Sequence, residues 1–400
     1  MAGPLEDIVV LDLSAVISGP MAAQWLADQG ADVIKVEPQV MGDITRIGGY
    51  RVDDISAMYV AANRGKRSIA LDLTQDAGVE ALLTLAEQAD VLIQNFRPGA
   101  VDRMGIGPEA VHARNPDLIY VSISGFGPSG PYHDWRVYDP VVQAISGVVS
   151  IQRSQDIPIP DLVRTIICDK STALTVAGAV SSALYARATG KARGQHLEVP
   201  MIDTTLYFLW PDTFMAHTMY GDDVAPGALL YDIYRLQQTA DGHIVYFSAS
   251  DKEFAGLARA LGHPEWAEDE RFATPESRFA PENFETLGAM LHNAFLEFTS
   301  AEIMERLHAN EVPGAPVLSL DEVFDDPQVK HNDAILEFEH PSAGPVKVAK
   351  PPVRWSHTSP EIKTGADHLG ESSEEILAGA GYDADAIAAL REAGVILGGE

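Results

Sequence analysis

Short β-branched runs alternate with helical windows through the first two hundred residues, and this order constrains the fold more than any other feature of the chain. Residues 8–13 read as a buried strand and 14–19 as a turn, and Pro20 suits the first position of a helix running to about Gln29. Gly30 ends that helix and 32–36 is the next strand. Further strand runs fall at 68–71, 91–94 and 118–124, with helical windows such as 78–88 between them. Strict alternation of strand and helix predicts an α/β fold with a mostly parallel sheet and helices on both faces. A long helix rich in Ala, Gly, Ser and Val follows over about 170–187, and 196–199 reads as one more strand.

The texture changes after 218–227, where Gly, Asp and Pro cluster as in a linker. Beyond it come a strand at 244–248, short helices to about Asn310, a Pro-rich stretch at 340–352 and a last helix over about 384–393. A chain of 400 residues, 46% apolar and 22% charged, is expected to be globular with more than one core. The net charge of −30 argues against a general nucleic-acid binder and disfavours an anionic membrane surface, but leaves room for a local anion site. The lone Cys168 excludes an intramolecular disulfide and any multi-cysteine metal site. The first residues carry no basic flank, and the longest apolar stretch, 173–186, is too short and too rich in Ser and Thr to span a bilayer. A soluble, cytoplasmic protein is expected.

No phosphate-loop motif, no G-x-S-x-G elbow and no pair of histidines at metal spacing occurs, so no metal is expected. Gly125-Phe126-Gly127-Pro128-Ser129-Gly130 matches G-x-G-x-x-G in form, but turn residues 131–134 follow it where a dinucleotide site needs a helix. No nicotinamide is therefore expected, although the loop stands at the carboxyl end of a strand, where α/β ligands bind. Asp169 follows the apolar Ile166-Ile167-Cys168 and precedes the long helix. A carboxylate there either caps the helix or, ionised by the helix dipole and poorly solvated, serves as a nucleophile. Cys168 reads as a small buried hydrophobe, and Tyr138-Asp139-Pro140 as the start of a helix over 141–145. Arg64, Lys66, Arg67, Arg97, Arg103 and Arg136 flank strand-end turns, which in an acidic chain points to a phosphate-bearing ligand.

An ordered set of motifs resembles the class III CoA-transferases, the group that holds formyl-CoA transferase, carnitine CoA-transferase and the α-methylacyl-CoA racemases. It includes Val10-Leu11-Asp12-Leu13, Gly19-Pro20, the run from Gly30 to Pro38, Gly42-Asp43, and Asn63-Arg64-Gly65-Lys66-Arg67-Ser68. It continues through Asn95-Phe96-Arg97-Pro98-Gly99, the Gly loop, Gly194-Gln195, Val312-Pro313-Gly314, Asp326-Pro327, His340-Pro341 and Leu369-Gly370-Glu371. The resemblance implies a large Rossmann-like domain over 1–217, a smaller α+β domain over 228–335, a return to the large domain over 336–400, and an interlocked homodimer. It places the catalytic carboxylate on Asp169. It implies coenzyme A, carried as the acyl-CoA substrate, against Val16, Ile17, Ser18, Leu71, Asp72, Leu73, Asn95, Phe96, Arg97, Arg103 and Arg136. Tyr138, Asp139, Gly125 and Gly127 are candidates to orient the acyl group or supply oxyanion donors.

The expected reaction moves CoA between an acyl-CoA and a carboxylic acid. A racemase-like isomerase is the first alternative, disfavoured because racemases of the family carry a His-Asp pair where Tyr138-Asp139 stands here. A nicotinamide oxidoreductase and an acidic interaction scaffold are more distant ones. Formyl-CoA transferase carries an Arg where Pro38 stands, and a glycine-rich loop near 226–236 that is not repeated here, so the resemblance does not name the acids. The acidity is uneven: residues 1–200 hold 16 basic and 23 acidic side chains, residues 201–400 hold 12 and 35.

Overall fold

The computed structural model describes residues 2–153, 159–225, 227 and 229–397. Pro226 and Ala228, in the stretch compared with the glycine-rich loop, lie outside the described residues. The chain divides into two compact units, Met1–Pro211 with Asn332–Glu400, and Asp212–His331. The linker-like stretch 218–227 lies inside the second unit, and the chain re-enters the first at Asn332.

The first unit is built on six parallel strands: β1 (Val9–Asp12), β2 (Asp32–Glu37), β3 (Arg67–Ala70), β4 (Val91–Gln94), β5 (Ile119–Ser124) and β6 (Gln195–Pro200). They stand in the order β3-β2-β1-β4-β5-β6, so the winding reverses between β1 and β4. That is the doubly wound Rossmann order, in which a crevice opens beyond the carboxyl ends of the two central strands.

Apolar residues fill both sheet faces because successive side chains point to opposite sides. Val10, Val33, Ile93 and Val121 pack on one face with α1 (Ser18–Ala27) and α4 (Ile167–Ala188). Leu11, Ile34, Leu92 and Tyr120 pack on the other with α2 (Asp76–Gln88) and the C-terminal residues Ile376, Leu377, Ile387 and Ile396. The small residues of α1 and α4, among them Ala22, Ala23, Ala173 and Ala177, let these two helices lie close against each other. α3 (Asp139–Ser146) stands between the Gly loop and α4, and α5 (Met201–Thr213) follows β6 directly.

The second unit has a small antiparallel sheet ordered Gly314–Pro316, His243–Tyr246, Gln237–Gln238. Helices Asp251–Ala260 and Ser300–Ala309 each start at a capping box, Ser250 with Glu253 and Thr299 with Glu302. They bury Phe254, Leu257, Ile303 and Leu307 with Phe272 and Phe295. Among the described residues no helix is long and apolar enough to cross a membrane.

Candidate active site

A cleft of about 780 Å³ opens beyond the carboxyl ends of the strands in the first unit. Every strand delivers residues to it. Ser14, Ala15 and Val16 follow β1, Pro38 follows β2, Leu71 to Thr74 follow β3, Asn95 to Pro98 follow β4, Gly125 and Phe126 follow β5, and Met201 follows β6. The volume is that of a small-molecule site, and its place is the switch point the strand order defines.

Asp169 lines this cleft and is 6% exposed. α4 begins at Ile167, three residues earlier than the sequence predicts, so Asp169 lies inside the first turn and does not cap it. The position before the helix is Ile166, which has no side-chain cap. The capping group comes from α3: Asp139 Oδ2 accepts from the backbone N–H of Cys168 (2.7 Å) and of Asp169 (3.0 Å). The Asp169 Oδ1 in turn accepts the backbone N–H of Ser18 at 3.2 Å. Ser18 opens α1, where first-turn N–H groups lack intrahelical partners. Burial, and then the Asp139 carboxylate, push the Asp169 carboxyl up to about 6, while Ser18 pulls the other way. At neutral pH it is ionised but poorly solvated.

Cys168 is fully buried, and burial pushes its thiol up to about 12, so it is no thiolate at neutral pH. Asp139 is 2% exposed and does not line the cleft. One of its oxygens holds the start of α4 and the other accepts from Gln143 Nε2 at 2.5 Å, so it positions α4 and faces no ligand. Tyr138 is exposed and lines the cleft. Gly125 also lines it, and a Cβ there would fall 2.5 Å from Val137 Cγ1, so the loop runs against that side chain only as glycine. Gly127 has φ +96° and stands outside the lining; its N–H goes to Ser124 Oγ at 3.1 Å and is not a free oxyanion donor. The Gly loop leads into a turn, and α3 starts only at Asp139.

The six basic residues separate into two sets. Arg64 pairs with Asp28 at 2.7 Å, Lys66 with Asp12 at 2.8 Å, and Arg67 with Asp32 at 2.5 Å. Lys66 is fully enclosed, also donates to the Pro20 carbonyl and Asn63 Oδ1, and is drawn down to about 8 by burial. These three hold the fold together and are not placed for a ligand, which corrects the sequence reading. Arg97, Arg103 and Arg136 are exposed and make no ion pair among the described residues; Arg97 and Arg136 line the cleft and Arg103 stands outside it. Leu71, Asp72, Leu73 and Phe96 line the cleft, with the C-terminal segment behind them through the Leu71–Ile396 bridge and Asp72 N–H to the Val395 carbonyl. Asp72 is held low by hydrogen bonds from Thr74 and Gln75. Ile17 is 6% exposed and packs in the core, so of the 16–18 loop it is Val16 and Ser18 that face the cleft.

Sequence reasoning missed two features. One wall of the cleft is aromatic: Phe126 and Trp135, with Tyr132 packed on Trp135 at 4.0 Å between centroids. Beneath the β1 loop lies a buried charge cluster. Lys35 stands 3.7 Å from Asp12 and 3.2 Å from Asp43, and Arg46 binds Glu37 through both carboxylate oxygens. A signal for it was present, since Lys35 interrupts the apolar run of Val33, Ile34 and Val36.

Fold and site together give a doubly wound α/β unit whose cleft is lined by three buried carboxylates: Glu37 and Asp43 are paired with Arg46 and Lys35, and Asp169 makes no ion pair among the described residues. The family model for CoA-transferase family III matches residues 5–373, and the chain belongs to that family. Acetyl-CoA:oxalate CoA-transferase of Acetobacter aceti is 35% identical over 92% of this chain and 94% of that enzyme. Succinate–glutarate CoA-transferase of Agrobacterium fabrum is 33% identical over 94% of this chain and 95% of that enzyme. A solved CAIB/BAIF family protein from Brucella suis superposes with a TM-score of 0.80, at 31% identity, over 95% of this chain and all of that one. The chain is thus an enzyme of the acyl-CoA:carboxylate CoA-transferase class.

Proposed function

We propose that Asp169 is the covalent nucleophile that carries CoA from an acyl-CoA thioester to a carboxylic acid. The supporting observation is that, of the buried carboxylates lining the cleft, Glu37 and Asp43 are neutralised by Arg46 and Lys35 while Asp169 makes no ion pair among the described residues, and the two lining arginines, Arg97 and Arg136, likewise have no acidic partner among them. Asp169 attacks the thioester carbonyl and the CoA thiolate leaves, giving a mixed acyl–aspartyl anhydride. The thiolate attacks the aspartyl carbonyl, releasing the donor carboxylate and leaving aspartyl-CoA. The acceptor carboxylate attacks that thioester, forming a second anhydride and freeing the thiolate again. The thiolate then attacks the acceptor acyl carbon, which forms the new acyl-CoA and returns Asp169 as a carboxylate. No net proton, water or redox partner enters.

In this reading Val16, Ser18, Leu71–Leu73 and Phe96 bed the CoA, and Arg97, Arg103 and Arg136 meet its phosphates. Ile17 contributes through backbone only. The same reading takes the enzyme as a homodimer, on the strength of the family resemblance. Asp169→Ala should abolish transfer from an acyl-CoA to any acid in a carboxylate panel, read by mass spectrometry, with the circular dichroism unchanged. Full transfer by that variant would overturn the proposal.

A further inference from the structure

The turn that leads from β1 into α1 is held by side chains. Ser14 N–H donates to Asp12 Oδ1 at 3.0 Å, and the Ser14 carbonyl accepts from Lys35 Nζ at 2.6 Å. Ala15 is gripped at both backbone groups by one amide: its N–H donates to Asn95 Oδ1 at 2.9 Å and its carbonyl accepts from Asn95 Nδ2 at 2.7 Å. Val16 N–H donates to Asp43 Oδ1 at 3.2 Å, an oxygen that also accepts from the Thr45 N–H and hydroxyl. Backbone pairing with neighbouring elements resumes on either side, at Leu13 with the Ile93 carbonyl and at the Ile17 carbonyl with Met21.

Val16 has φ +72°. A β-branched residue in the left-handed region is strained and persists only where its surroundings impose it. The turn also presses on α1, since a Cβ at position 19 would lie 2.1 Å from Ser14 Oγ; only glycine fits there. Two residues past Val16, Ser18 presents its N–H to Asp169.

We propose that Asn95 and Asp43 are positioning residues for the transfer reaction: they force Val16 into its left-handed conformation and so aim the Ser18 N–H at the Asp169 carboxylate. This rests on the proposed role of Asp169 and adds a task for Asn95 that differs from a CoA contact. The Asn95 amide spends one N–H and one oxygen lone pair on Ala15, which fixes its orientation at the edge of the cleft. Asp43 is tied from below by Lys35, which is tied to Asp12, so the clamp stands on the buried charge cluster.

The test is a cycle of Asn95→Ala, Val16→Gly and the double variant. Misplacing a reacting group by about 1 Å typically costs on the order of 10²-fold in rate. Asn95→Ala should therefore lower kcat by roughly 10- to 100-fold, with the acyl-CoA KM moved far less. Glycine adopts the left-handed conformation without a clamp. Adding Val16→Gly to Asn95→Ala should recover at least ten-fold of the lost kcat and part of the lost thermal stability. A raised KM at unchanged kcat, or a double variant no better than Asn95→Ala, would overturn the inference. Should Asn95→Ala not fold, Asn95→Asp keeps the acceptor for Ala15 N–H and is expected to fall between it and the unaltered protein, and no loss of kcat in Asn95→Asp would count against the clamp. Full transfer in Asp169→Ala would instead strike the nucleophile; recovery of melting temperature by Val16→Gly would still report on the clamp.

Discussion

Two helix N-termini meet at the Asp169 carboxylate: it lies in the first turn of α4 and accepts the Ser18 N–H at the start of α1. Even so, burial and the neighbouring Asp139 raise it to about 6 from the usual 3.8. A carboxyl raised on folding favours the fold while protonated. That contribution is full below about pH 4 and is lost as pH climbs through about 6. The ionised nucleophile thus costs the free enzyme stability at neutral pH, up to about 3 kcal/mol. Asp169→Asn should raise the melting temperature at pH 7.5, with the gain vanishing near pH 4; a lower melting temperature at pH 7.5 would contradict this. In the unaltered enzyme kcat/KM should rise with pH through about 6 and then level. The residue itself was legible, because an acid after an apolar run and before a helix is a local pattern. Its pH behaviour was not, since Asp139 and Ser18 are 30 and 151 positions away.

α4 starts at Ile167 without a cap of its own, and α3 supplies the missing acceptor. This explains why the start was misplaced in the sequence by three residues: the residue at the cap position is Ile166, which offers no side-chain acceptor, and the substitute is remote. Asp139→Ala should leave two buried N–H groups unsatisfied and cost roughly 2–4 kcal/mol in chemical denaturation. Asp139→Asn keeps an acceptor and removes the negative charge, so the acid limb of kcat/KM should move to lower pH. An upward move would show that Asp139 acts on Asp169 in some other way. The strands were legible at this scale because parallel strands buried on both faces read as continuous apolar runs. The clamp on the β1 turn was not, since Asn95 and Asp43 reach it from other loops.

For the whole molecule, the alternation of strands and helices pointed to a parallel sheet, and the strand order then places a crevice between β1 and β4. The six basic residues looked alike in the sequence. Only the folded chain separates Arg64, Lys66 and Arg67, which are paired with Asp28, Asp12 and Asp32, from Arg97, Arg103 and Arg136, which make no ion pair among the described residues. The net charge of −30 thus coexists with a cleft that two arginines line, because acids within the first unit pair with Arg64, Lys66 and Arg67, whereas Arg97 and Arg136 make no ion pair among the described residues. The central claim is that CoA passes through a covalent bond to Asp169. The most direct measurement is the mass of the intact protein after incubation with an acyl-CoA and no acceptor acid, followed by hydroxylamine and peptide mapping. The account predicts an adduct of CoA less one water, converted by hydroxylamine to a hydroxamate on the peptide holding Asp169 alone. An unmodified protein that still transfers CoA when an acid is added, or an adduct on any other residue, would contradict it.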